Sequence, residues 1–188
     1  MTLARAAAVV GLVLGMAGVA TPAVHAQQPA PAPGPTRPPG CTAPEHRQFD
    51  YWVGDWEVTD SAGTRVLGTN SITLEENGCL IHEHWKGGPP GGSGGTGQSF
   101  NFYDRVSRRW EQVRVASGGS VLKLAGGFDG TAMRLEGKTA LPGGAELLNR
   151  IEWIPQPDGR VRQRWTTSRD GGQTWNAGFD GWYRKRVS

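Results

Sequence analysis

The chain is poor in the residues from which most catalytic and redox centres are built. It carries two cysteines and four histidines in 188 residues, and nothing resembles C-x-x-C, which weighs against a reactive thiol pair. No Walker, dinucleotide or H-E-x-x-H signature occurs. Ser93, Ser99 and Ser117 lie in glycine-rich or strand-like contexts, and none sits in a G-x-S-x-G elbow. An excess of one charge is also lacking: 20 Lys and Arg stand against 17 Asp and Glu, a formal +3. That field is too weak to call for nucleic acid. Long apolar runs are confined to the first twenty residues, so no later segment can cross a bilayer as a helix.

That N-terminal run bears on the compartment. Arg5 is the only charge before small and apolar residues from Ala6 to Ala20, and Val24-His25-Ala26 supplies the small residues a signal peptidase needs. The apolar run, roughly 15 residues, is short against the ~20 that span a bilayer. Residues 1–26 therefore read as a cleaved signal peptide, which predicts a secreted or periplasmic protein with no membrane insertion after cleavage. Residues 27–43 read as a Pro/Ala-rich spacer, with Gln27 to Gly40 extended and unable to build a core. In an oxidising compartment Cys41 and Cys79 are read as a structural disulfide, which on the chain-entropy model contributes roughly 3 to 4 kcal/mol. A reactive pair is the competing reading.

From residue 44 to residue 188 the chain alternates apolar and polar residues between glycine-rich turns, with no long helical period. The fold class expected is all-β: a single closed up-and-down antiparallel barrel of about ten strands, preceded by one short helical turn within Pro44 to Trp52. In that turn Phe49 and Trp52 face inward. Strands are expected near Asp55–Asp60, Arg65–Glu76, Cys79–Lys86, Gln98–Tyr103, Trp110–Ser117, Ser120–Phe128, Ala132–Lys138, Ala145–Ile154, Arg160–Ser168 and Thr174–Arg186. Breakers such as Asn77-Gly78, Gly118-Gly119, Asp129-Gly130 and Pro157-Asp158-Gly159 separate them. The long glycine-rich stretch from Gly87 to Gly97 is expected to form a mobile flap over one barrel mouth.

The segments EHRQFDYWVGDWEV, NGCLIHEHWKG and GTGQSFNFYDRVSRRWEQV resemble the DUF1579-like group of bacterial calycin domains, which are lipocalin-like barrels. The resemblance runs from Cys41 onward and rests on short, mostly structural motifs. It implies that Gly54-Asp55-Trp56 takes the place of the calycin G-x-W that packs across the barrel floor. Nitrobindin-like barrels of similar topology hold haem through a late histidine. Here no histidine follows His84, so that property does not carry over and no cofactor is expected.

Within such a barrel the candidate ligand contacts are Trp56, Trp110 and Trp165 as inward aromatics, with Gln112, Gln163, Arg150, His82 and His84 supplying polarity. Arg114 shares a face with Trp110. Arg150 shares one with Glu152 and Leu148, so it serves either as a ligand anchor or as part of an ion pair that closes the barrel. His82 and His84, two apart on a strand, point the same way and are the weak metal candidates, with His46 as a third histidine. Two ligands do not make a site. Arg160, Arg162 and Arg164 read as a solvated outer stripe. Ser168 to Trp175 matches the Asp-box turn, whose Ser and Asp satisfy turn amides while the Trp tucks beneath.

The function expected is non-catalytic: binding of a small, partly apolar molecule in the lumen, with no nucleic-acid partner. One alternative is a small periplasmic hydrolase or isomerase using the His82/His84 pair, with or without a metal. The other is a scaffold domain with a filled barrel.

Overall fold

The computed structural model describes residues 40–186. The expected signal peptide and most of the spacer lie outside the described residues. Two short 3₁₀ turns, Pro44–Arg47 and Asp50–Trp52, lead into ten strands: β1 (Gly54–Thr59), β2 (Val66–Glu75), β3 (Leu80–Gly87), β4 (Thr96–Asp104), β5 (Arg109–Ala116), β6 (Val121–Phe128), β7 (Met133–Ala140), β8 (Glu146–Pro155), β9 (Val161–Ser168) and β10 (Asn176–Lys185). Each strand pairs antiparallel with its sequence neighbours. β1 then pairs with β10, from Trp56↔Lys185 to Thr59↔Trp182, and the barrel closes. Closure leaves no free sheet edge, so every strand has two partners to satisfy its backbone groups.

The turns form as their residues dictate. At Asp129-Gly130 the Asp129 carboxylate accepts from the backbone of Thr131 and Ala132, both at 2.9 Å. Between β9 and β10 the Ser168 hydroxyl donates to Asp170 at 2.7 Å, and Asp170 accepts from the Thr174 backbone at 2.9 Å. The Thr174 hydroxyl also donates to Asp170 at 2.5 Å, and this bond first, with the other two, holds the Asp170 carboxyl well below its usual range. Trp175 donates to Gly172 O at 3.1 Å and so lies within this turn rather than on β10, where the sequence had suggested it.

One end of the barrel is plugged from inside by the segment before β1. Phe49 and Trp52 are both 0% exposed. Their rings stack at 4.8 Å, and Phe49 meets Trp153 at 5.2 Å and Trp110 at 5.6 Å. Trp56 donates its indole N–H to Trp52 O at 2.8 Å, and the Tyr51 hydroxyl donates to Trp153 O at 2.8 Å. The plug is thus tied to the wall by hydrogen bonds at its polar atoms as well as by packing. A disulfide between Cys41 and Cys79, 4.9 Å apart at Cα, fastens its leading end to the β2–β3 turn. His46, 3% exposed, packs edge-on against Tyr103 and accepts from the Arg105 guanidinium at 3.3 Å.

Alternation along the strands decides which residues see the lumen. On β3, Ile81 and Glu83 are buried, whereas His84 is exposed. His82 and His84 therefore stand on the outer surface, contrary to the expectation that they supply polarity inside. Arg150 is likewise outside. Its neighbours Asn149 and Ile151 are buried, and its guanidinium pairs with Glu136 at 2.5 Å and covers the Trp175 ring at 4.1 Å. The physical reason is the same on both strands: the parity that carries Ile81 and Trp85, or Ile151 and Trp153, buries more apolar surface and takes the inside.

Candidate functional site

Above the plug the lumen holds a cavity of about 110 Å³. Its apolar wall is built by Trp85 from β3, Ile151 and Trp153 from β8, Trp165 from β9 and Phe179 from β10. Trp85 and Phe179 meet at right angles with 5.9 Å between ring centroids. Trp165 is held by an indole bond to Asn149 at 3.1 Å. The polar side consists of Glu83, Gln112, Arg114, Gln163 and Tyr183. Gly68 on β2 makes room for this arrangement, since a Cβ there would fall 2.5 Å from the Trp85 ring and 2.4 Å from Lys86 O.

All of these but Arg114 are joined, through Asn70, Ser99 and Asn101, in a continuous belt across six strands. Tyr183 donates to Gln163 and accepts from Asn70 at 3.2 Å. Asn70 donates to Glu83 at 2.8 Å, and Ser99 donates to the other Glu83 oxygen at 2.6 Å. Asn101 then donates to Ser99 Oγ at 2.9 Å and accepts from Gln112 at 2.7 Å. Burial, with the nearby Glu83 charge, pushes the Tyr183 phenol well above its ordinary value. It stays protonated and keeps its donor role. Such a belt fixes the rotamers of the lumen wall, because each member is held by its neighbours in a low-dielectric interior.

One charged group at the cavity is left over. Arg109, Arg134, Arg150, Arg162 and Arg164 each pair with a carboxylate. Arg114, half-buried and turned inward, pairs with none among the described residues. Charged groups taken partly out of water are ordinarily paired, so Arg114 is where the lumen lacks a partner of its own.

The residues singled out from sequence separate cleanly. Gln112, Gln163 and Trp165 line the cavity. Trp56 and Trp110 point inward but at the plugged end, where both are packed at 0% and 2% exposure. His82, His84 and Arg150 are outside, and His46 is committed to Arg105 and Tyr103. On the outer wall His82 lies 3.3 Å from Glu75 and 3.0 Å from Gln98, and His84 lies 3.3 Å from His82. Among the described residues no group of three or more His, Cys, Asp or Glu side chains is arranged to hold a metal ion.

Sequence reasoning missed Trp85, Trp153, Phe179, Tyr183 and Glu83 as lumen residues. The signal was available for the first two, because each shares strand parity with an isoleucine. Glu83 gave none: a carboxylate between Ile81 and Trp85 reads as an interruption of the apolar set.

A larger trough, about 830 Å³, runs along the outside of β2 to β5 past Thr69, His84, Gln98 and Phe100. Most of its polar side chains, Asn70 excepted, reach solvent. The lumen, walled by aromatics and bordered by the unpaired Arg114, is the stronger site. No family model matches the chain, and no curated protein does.

Proposed function

We propose that the protein is an exported, non-catalytic barrel that binds a small, partly apolar molecule in its lumen. The carrying observation is a cavity walled by aromatics and bordered by Arg114, which pairs with no carboxylate among the described residues. Pockets for small organic ligands have this character, mostly apolar with a few fixed polar groups. The belt from Gln163 to Gln112 supports the reading further, since it holds the wall in one shape before any ligand arrives and lowers the entropy lost on binding. Catalysis by the His82/His84 pair has no comparable support, because neither imidazole faces the cavity.

The Cys41–Cys79 disulfide supports export, since such bonds persist in oxidising compartments. Among the described residues no helix is long and apolar enough to cross a membrane. The ten-strand closed barrel accords with the DUF1579-like calycin resemblance of the three motifs. Native mass spectrometry of protein purified from its own exported fraction tests the function. A retained organic mass that disappears on denaturation is expected. A bare protein whose tryptophan emission ignores a broad panel of small aromatic and aliphatic compounds would overturn the reading.

A further inference from the structure

We infer that the lumen ligand is a small aromatic carboxylate, its anionic group held by Arg114; this rests on the lumen-binding reading above. The first ground is the placement of charge. Glu83, Ser99 and Arg114 lie opposite one another on β3, β4 and β5, all on the inner face. Ser99 stands between the two charges and, with Asn70, occupies both Glu83 oxygens. The acid is satisfied by neutral donors, and the guanidinium two strands away is left free.

Gly97 provides the space for that guanidinium. A Cβ at this position would lie 2.9 Å from Arg114 Nη2 and 3.1 Å from Val115 O. A cation held half-buried with no protein anion is unfavourable until an anion joins it. A carboxylate fits the guanidinium fork in two parallel hydrogen bonds.

The second ground is the rest of the polar lining: Gln112, Gln163 and Tyr183 border the same cavity and offer neutral partners to a ligand hydroxyl.

Size and wall complete the assignment. At about 10–15 Å³ per water position, the cavity of about 110 Å³ takes roughly eight waters, or a ligand of about ten non-hydrogen atoms. Rings perpendicular to each other at 5.9 Å, as Trp85 and Phe179 are, suit a flat aromatic guest by edge and face. A hydroxybenzoate has this size, charge and hydroxyl.

The test is titration of the intact mature protein with 4-hydroxybenzoate and with its neutral isostere 4-hydroxybenzamide, followed by tryptophan emission and calorimetry. The carboxylate is expected to bind about tenfold or more tightly than the amide. Arg114→Met should abolish that preference while near-ultraviolet circular dichroism stays native. Gly97→Ala should weaken the carboxylate by crowding the guanidinium, and His84→Ala, on the outer wall, should change nothing. Equal affinity for acid and amide, or a preference that survives Arg114→Met, overturns the carboxylate assignment and leaves lumen binding standing. Failure of every aromatic and aliphatic compound to bind, with no retained mass, removes both. If Arg114→Met does not fold, the acid–amide comparison on the unaltered protein decides alone.

Discussion

Replacing Phe49 by alanine tests whether the segment before β1 is a structural plug rather than an accessory. The ring is 0% exposed and meets Trp52 at 4.8 Å, Trp153 at 5.2 Å, and Trp110 and Tyr51 at 5.6 Å each. Phe-to-Ala truncation in a core costs about 3 to 5 kcal/mol, the upper part of the range applying where surroundings cannot collapse into the hole. A closed barrel is such a place, because Trp110 and Trp153 are held by ladders on both sides and cannot move inward without breaking pairs. Aromatic contacts add about 0.5 to 1.5 kcal/mol beyond area for a well-placed pair. We expect a loss of about 4 kcal/mol, read from urea unfolding followed by tryptophan emission, with the thermal midpoint falling by roughly 10 °C. Val106→Ala, at a side chain 93% exposed, is the control and should stay within about 0.5 kcal/mol. A loss below about 1 kcal/mol for Phe49→Ala, with an unchanged denaturant slope, would refute the plug.

Two further expectations follow from the same end of the barrel. Paired Cys41→Ser and Cys79→Ser replacements open a link spanning 38 residues, for which chain entropy gives about 4 kcal/mol; an unchanged midpoint with and without reductant would contradict it. Burial and the Arg105 guanidinium hold the His46 imidazole below its ordinary 6.5, so the unfolded chain takes up a proton that the fold refuses. Stability should therefore fall as pH drops through that value, and level off below the folded value. Urea midpoints of the native protein and of His46→Gln at about pH 7 and about pH 5.5 measure this. An equal drop in both proteins would assign the effect elsewhere.

The strands were legible because alternation and turn chemistry are local. The ten observed strands begin and end within two residues of the expected ones, and the Asp-box turn forms through the Ser168 and Asp170 bonds its residue types imply. Phe49 and Trp52 were readable as inward residues by spacing, although the turn they ride on is split into two 3₁₀ pieces. The candidate site was legible only in part. Gln112 and Gln163 share parity with Trp110 and Trp165 and could be placed inside. On β3 and β8 both faces mix apolar and polar residues, so His82 and His84 were assigned to the wrong side, while for Arg150 the cross-strand ion pair, not the ligand anchor, is the alternative that formed.

By itself the sequence determined an all-β barrel architecture, the cysteine pair and the inward turn of Phe49 and Trp52, since each rests on local alternation and spacing or on a chain with only two thiols. Only the tertiary structure decided which face of each mixed strand turned inward and that Arg114, among the described residues, faced the lumen without a carboxylate partner. Those outcomes depend on residues far apart in the chain, such as Asn70 with Tyr183 and Glu83 with Ser99, competing for the same buried bonds. Register across the whole barrel settles that competition, and no single strand contains it.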